Sequence, residues 1–386
     1  MTDRRALLWV PLPPPMAGPE IASRWLVDAC TRLAPGLRVE NATLRTSNME
    51  KGRLDLSGIV AFARAYIRFV RAARSVDIVY LVAAANTVGC TRDAVLVVTA
   101  RIMRRQVVIH FRGGRYGEYY DQSQALFRFL LRLSWGGAAR AIVQTPRLRA
   151  QLARVAPNVE IAVLPNGLPA ASFAAKSQYT SPRPRLLFVG HLIHSKGFHD
   201  LMHGFRRLRA KWPELVLACA GELPRPEHDA GQLPTANPTE YPRRYHDICQ
   251  EIHAFIAEGR DGGIEYAGVV SGDAKVSLFG SADIFVLPSY TEGFSLAVLE
   301  AMFHGLPIVT TSCGGLPDIV KHGENGLLVE PGDVEGLISA IDRLVANPGL
   351  REAMGRRNAR EARERYDIGV VARQLVDIVT LSPLYT

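Results

Sequence analysis

The chain has 386 residues, room for two domains at ~100–200 residues each. With 48% aliphatic and aromatic residues and 22% charged, it is globular in composition, which excludes a disordered, collagen-like or disulfide-scaffold protein. The formal net charge of +9 is unevenly spread: residues 1–178 carry 25 Lys and Arg against 11 Asp and Glu, the remainder 21 against 26, so the first half attracts anions.

In chain order, Arg4 and Arg5 precede an apolar run that Pro11 ends, too short a run for a secretory signal. That run, 6–10, is the first of five expected strands in the first half, with 77–82, 106–110, 141–144 and 161–165. The second half repeats the pattern at 185–190, 215–220, 264–267, 283–288, 307–311 and 326–329. Apolar runs without polar alternation suit strands buried on both faces, with the intervening helices as right-handed crossovers. The expected fold class is therefore α/β, with two doubly wound, Rossmann-like domains. Residues 168–184, poor in strand formers and carrying Pro169, Pro182 and Pro184, read as the linker between them. Ligands bind beyond the carboxyl ends of such sheets, so the expected site is a cleft between the domains.

Two helices of the first half are basic and amphipathic. Between 58 and 74, Ile59, Phe62, Tyr66, Ile67, Phe69 and Val70 recur at helical spacing, with Arg64, Arg68, Arg71 and Arg74 interleaved. Residues 125–135 repeat the recipe, with Leu126, Phe127, Phe129, Leu130, Leu131 and Leu133 beside Arg128 and Arg132. Such helices suit an anionic membrane surface, or equally a helix packed on a core with a solvated arginine face. No RNP, KH, zinc-finger or helix-turn-helix pattern points to nucleic acid. The five cysteines are scattered, odd in number and without C-x-x-C spacing, which fits reduced thiols in a cytosol rather than disulfides or a zinc site. The stretch 223–242, with five prolines, is long enough to suggest an acceptor-side or lid role.

The chemistry sits at strand ends in the second half. FVGHLIHSKG (188–197) runs from a strand through a glycine-bracketed turn into a helix at 198–211. The amides and dipole of a helix N-terminus favour an anion, Lys196 adds a mobile cation, and a diphosphate fits. PSYTEGFSLAVLEA (288–301) places Glu292 in a loop before a helix that starts near Phe294 or Ser295, and Glu300 about two turns later. Free amides from Gly293 to Leu296 suit phosphate or sugar oxygens, and a carboxylate accepts two hydroxyl donors at once.

With these motifs the chain resembles a retaining family 4 glycosyltransferase of the GT-B fold, the group of bacterial polysaccharide and lipid-linked sugar transferases. The resemblance spans the Pro-rich loop 11–18, VLPNG (163–167), FVGHLIHSKG, the pair Glu292/Glu300, EAMFHGLPIV (300–309), GGLPD (314–318) and NGLLV (325–329). It implies an acceptor-binding domain at 1–168 joined by a returning helix at 362–386, a linker at 169–184, and a nucleotide-sugar domain at 185–361. It implies a UDP- or GDP-sugar as donor substrate, no cofactor, and a lipid-linked or saccharide acceptor at the cytoplasmic membrane face. Lys196 would bind the donor diphosphate, Glu292 the sugar hydroxyls, Gly293, Phe294, Ser295 and Leu296 would offer amides, and Glu300 would hold the ribose. Gly18 and Gly190 would allow close approach, and Val269 would flank the base. The family usually has Arg where this chain has His191, and His-Gly where it reads Arg112-Gly113. Either Arg112 or His110, two residues earlier, takes the active-site role there. No D-x-D motif lies in a suitable loop, so no metal ligand is expected. A soluble-acceptor synthase of sucrose or glycogen type, or a sugar-nucleotide epimerase, are the competing enzymes. A nicotinamide oxidoreductase is disfavoured because no G-x-G-x-x-G follows a strand.

Overall fold

The computed structural model describes residues 4–14, 18–44, 56–84, 86–114, 116–176, 178–179, 181, 183–225 and 241–380. Most of the Pro-rich stretch 223–242 and part of the loop 11–18 lie outside the described residues. The chain divides into two compact units, Met1–Pro169 with Arg365–Thr386, and Ala170–Glu364.

The first unit runs β1 (Ala6–Val10), α1 (Gly18–Leu33), β2 (Arg38–Asn41), α2 (Leu56–Ala73), β3 (Ile78–Val82), α3 (Thr87–Ile102), β4 (Gln106–Phe111), α4 (Tyr116–Gln122), α5 (Ala125–Trp135), β5 (Arg140–Val143), α6 (Pro146–Ala153) and β6 (Glu160–Val163). The second runs β7 (Arg185–Val189), α7 (Phe198–Lys211), β8 (Val216–Ala220), α8 (Tyr241–Ala257), β9 (Ile264–Tyr266), α9 (Gly272–Gly280), β10 (Ile284–Leu287), α10 (Leu296–Phe303), β11 (Ile308–Thr311), α11 (Leu316–Ile319), β12 (Gly326–Val329), α12 (Val334–Ala346) and α13 (Pro348–Tyr366); α14 (Ile368–Thr380) follows. Each unit holds a parallel six-stranded sheet, ordered β2-β1-β3-β4-β5-β6 and β12-β11-β10-β7-β8-β9.

The apolar runs become the central strands because both faces are covered. Along β1, Leu7 and Trp9 join one core with Phe69, Val79, Leu96 and Trp135, beneath α2, α3 and α5. Ala6, Leu8 and Val10 join the other with Leu26 and Cys30 of α1 and Val371, Leu375 and Val379 of α14. The last helix therefore returns to the first unit, sealing one face of its sheet. The turn that sends it there is pinned by Leu168, whose N–H donates to Tyr366 O (2.9 Å) and whose carbonyl accepts from Ile368 N (2.9 Å).

Two expectations need correcting. Strand β2, of sequence RVEN, was not among the expected strands: it is a partly exposed edge with only Val39 as a strand former, paired through Leu8 to β1. The supposed linker 169–184 is packed against the second unit. Phe173 stacks on Phe303 (5.1 Å), Lys176 pairs with Asp283 (2.9 Å), and Tyr179 donates to Gly305 O (2.9 Å). Among the described residues of this strap, Phe173, Lys176 and Tyr179 thus find buried partners.

At the end of α10, His304 lies flat on Phe279 (5.3 Å, 8°) and edge-on to Phe173 (5.4 Å). Burial lowers its pKa from 6.5 to about 4. The unfolded chain then binds this proton more readily than the folded unit, so stability is complete above pH 6.5 and declines as pH falls towards 4. Urea midpoints across that window should fall less steeply in His304→Phe than in the wild type, and the two should run parallel above pH 7.

Candidate functional site

In the second sheet β7 lies between β8 and β10, so the chain leaves it to one side and returns on the other. The crevice at such a reversal, beyond the strand ends, is where open α/β sheets hold ligands. The loops after β7 and β10 must meet there.

The first of them starts at Gly190, whose N–H still pairs with Ala220 O (2.9 Å). His191 is exposed, with Nδ1 3.8 Å from Glu222. Leu192 and Ile193 turn inward, and a single 3-10 turn, His194–Lys196, leads to Gly197. Gly197 has φ 70°, and a Cβ there would lie 1.9 Å from Pro288 O, so only glycine lets this loop rest on the end of β10. Contact between the loops continues through Tyr290 N donating to Ser195 O (2.9 Å) and the Tyr290 hydroxyl donating to Asp200 (2.7 Å) in the first turn of α7.

Lys196 Nζ donates to Glu292 Oε1 at 2.7 Å, and Ser289 Oγ donates to the same oxygen at 3.1 Å. Glu292 is 10% exposed and Lys196 30%. From the far side Gly314, φ 54°, packs so closely that a Cβ would stand 1.7 Å from Glu292 O. Gly293 and Phe294 follow Glu292, and Ser295 caps α10, its hydroxyl accepting from Val298 N (3.5 Å). Leu296 is therefore the first helical residue, one or two positions later than the expected start near Phe294 or Ser295.

Glu300 is buried on α10, with both carboxylate oxygens 2.7 Å from Lys275 Nζ. Burial raises its pKa, and Lys275 opposes that shift. Sequence reasoning missed Lys275. The available signal was the one cation of α9, two residues after Asp273 in its first half. Val269 stands 78% exposed just after β9, in a turn where Gly268, φ 67°, accepts from Gly221 N (2.8 Å). The structure thus brings Lys196 and Glu292 into direct contact, and gives Glu300 a cation of its own.

In the first unit, β1 likewise lies between β2 and β3, and a polar network occupies that end of the sheet. His110 on β4 is 1% exposed, and its Nδ1 is 2.6 Å from the Tyr80 hydroxyl. Arg112 Nη1 donates to Ser23 Oγ on α1 (2.8 Å), and Nη2 approaches Tyr80 (3.5 Å). Burial first, then the Arg112 charge, holds His110 well below 6.5. That shift favours the neutral imidazole, and Arg112 beside it is partly exposed. Gly18, expected in a loop, opens α1 instead.

Residues 183–347 match the family described as Glycosyl transferases group 1. Among curated proteins, a glycogen synthase of Mycobacterium tuberculosis is 34% identical over 208 residues, 53% of this chain and 44% of that protein. An uncharacterized glycosyltransferase of Methanocaldococcus jannaschii is 29% identical over 199 residues, 51% of this chain and 45% of that protein. These matches span less than half the length of either relative. Among solved structures, a sucrose-phosphate synthase from Thermosynechococcus elongatus superposes with a TM-score of 0.75 at 19% identity, covering 97% of this chain and 98% of that one. Anabaena HepE in complex with UDP-glucose gives 0.70 at 18% identity, with 97% and 98% coverage. At such identities these two show the fold alone. The chain thus has the GT-B fold, and its residues 183–347 form a glycosyl transferases group 1 domain.

Proposed function

We propose that the protein is a retaining glycosyltransferase that moves a hexose from a UDP- or GDP-sugar to a lipid-linked or polysaccharide-precursor acceptor at the cytoplasmic face of a membrane. The observation that carries the reading is the contact of Lys196 with Glu292 at the strand reversal, beside the N-termini of α7 and α10. Lys196 and the amides of Gly293 to Leu296 would neutralise the departing diphosphate without a metal ion, stabilising charge as it develops. Glu292, released from Lys196 by the incoming phosphates, would take the sugar hydroxyls as its new donors. Glu300, kept in place by Lys275, would accept the ribose diol. In the retaining reaction that the family resemblance implies, the leaving phosphate takes the acceptor proton, and no carboxylate base is needed. Arg112 fits an anionic group of the acceptor or the leaving phosphate, since its guanidinium forms paired hydrogen bonds that the neutral His110 cannot.

Membrane association is supported by the surface of the first unit. Among the described residues, Leu56, Ile59, Val60 and Ile67 of α2, Val95 and Ile102 of α3, and Leu126, Phe129 and Leu133 of α5 are exposed large hydrophobics. The second unit contributes Val269 alone to that set. Exposed Arg64, Arg71 and Arg128 accompany them, so apolar and cationic groups share one layer of helices. Among the described residues, no helix is long and apolar enough to cross a membrane. A soluble saccharide acceptor is the second reading, favoured by the relationship to a glycogen synthase.

Release of free nucleoside diphosphate from a panel of UDP- and GDP-sugars tests the donor site. Lys196→Ala should lower turnover by about 10²–10³-fold, the usual effect of losing one transition-state donor. Wild-type turnover in that variant would remove Lys196 from the mechanism. For the acceptor side, the protein should sediment with phosphatidylglycerol vesicles in a salt-sensitive manner. The double variant Leu126→Ser/Phe129→Ser should weaken this at least about tenfold, as expected for losing two membrane-buried side chains. Absence of vesicle binding, with transfer onto a soluble glucan, would favour the second reading.

A further inference from the structure

Outside the donor loops, the outer edges of α7 and α8 carry a cluster that the proposed transfer does not use. His199 and His203 lie one turn apart on α7, and Glu251 reaches them from α8. Three atoms converge: His199 Nε2 is 2.9 Å from Glu251 Oε2, His203 Nε2 is 3.1 Å from His199 Nε2, and His203 Nε2 is 3.6 Å from Glu251 Oε2.

We propose that His199, His203 and Glu251 form a binding site for a divalent transition-metal ion of the Zn²⁺ type. Geometry is the first argument. An ion ~2.0–2.1 Å from each ligand in a tetrahedron sets its ligand atoms about 3.3–3.4 Å apart. The triangle here, with edges of 2.9, 3.1 and 3.6 Å, brackets that size. Chemistry is the second. Two imidazole nitrogens and one carboxylate oxygen suit Zn²⁺, Cu²⁺ or Ni²⁺, whereas Mg²⁺ and Ca²⁺ require oxygen ligands. The third argument is the contrast with the next rung of the same helix pair. Seven residues further on, Arg206 of α7 pairs with Glu258, which follows the last residue of α8. At the upper rung the counterpart of a single guanidinium is two facing imidazoles, which cannot both donate to one another across their 3.1 Å separation.

Three protein ligands leave a fourth position for water. With His203 45% and Glu251 51% exposed, the site is open to solvent. Bound metal would pin the first two turns of α7 to α8. The site does not depend on the donor assignment, because none of its ligands has a role there.

The test uses untagged, chelator-stripped full-length protein titrated with ZnCl₂ by calorimetry, alongside the visible spectrum of the Co²⁺ form. The wild type should bind one equivalent of Zn²⁺, give a tetrahedral Co²⁺ spectrum, melt at a higher temperature when loaded, and ignore Mg²⁺. Loss of an outer-shell partner typically costs 10–100-fold in metal affinity, so His203→Gln, which removes a ligand, should cost more than about 100-fold. As a half-exposed residue its replacement should leave the metal-free melting temperature unchanged, and Glu251→Gln should weaken binding in the same direction. Stripped wild type that takes up no Zn²⁺, or a His203→Gln variant that binds it as tightly as wild type, would overturn the site.

Discussion

The position of β7 between β8 and β10 forces the loops after β7 and β10 into contact, and the second unit's polar site grows from that constraint. Gly197 resting on Pro288 fixes their spacing, and Gly314, in the loop after β11, rests on Glu292 from the other side; neither position tolerates a side chain. The spacing brings Lys196 within 2.7 Å of Glu292. A carboxylate only 10% exposed is costly without a partner, because a charge taken from water and left uncompensated loses several kcal/mol. The lysine therefore serves the fold before any ligand arrives. On the proposed reading an incoming diphosphate competes for Lys196, and the carboxylate it frees needs new hydrogen-bond donors. Sugar hydroxyls are such donors, which couples recognition of the phosphate to recognition of the sugar.

The first unit is built with unequal faces. Helices α1 and α14 close one side of its sheet, with Val371, Leu375 and Val379 filling the groove beside Leu26 and Cys30. On the other side α2, α3 and α5 bury only part of their apolar surface. Phe69 and Leu131 point inward, while Ile59, Ile67, Leu126 and Phe129 remain outside. The positive balance of residues 1–178 thus coincides with a face that is apolar as well as cationic. Helices α2 and α5 thus pack on the core through one stripe and present large hydrophobics beside arginines on another.

Much of this was legible in the sequence, and the failures have physical causes. Apolar runs marked eleven of the twelve described strands because a parallel sheet covered on both faces selects Val, Ile and Leu. Edge strand β2 escaped because three of its four residues are polar and its pairing with β1 supplies what propensity does not. The strap 169–184 read as a linker because proline and low strand propensity mark irregular chain, not exposed chain; Phe173 and Tyr179 were the contrary signal. Glu292 and Lys196 were singled out because each sits in a motif at a strand end, whereas Lys275 and Glu251 lie in no motif and meet their partners on another helix. A histidine pair four residues apart becomes meaningful only when a third ligand comes from another helix, and no spacing within α7 could disclose it.

Helix α7 shows how one element can serve several of these demands. Phe198, Leu201, Met202, Phe205 and Leu208 form its buried stripe at the helical period. Asp200, in the first turn, receives the Tyr290 hydroxyl and so ties the helix start to the β10 loop. On one flank His199, His203 and Arg206 meet Glu251 of α8 and Glu258 just beyond it, and on the other Arg207 and Lys211 meet Glu335 and Asp342 of α12. Exposed ion pairs stabilise little one by one, about 0–1 kcal/mol each. Their placement on both flanks ties α7 to α8 on one side and to α12 on the other. A helix so restrained presents its N-terminal amides in a fixed direction, and fixed dipoles stabilise an anion without the reorganisation that mobile ones require. On the proposed reading, a helix held in this way would present its N-terminal amides to the donor diphosphate.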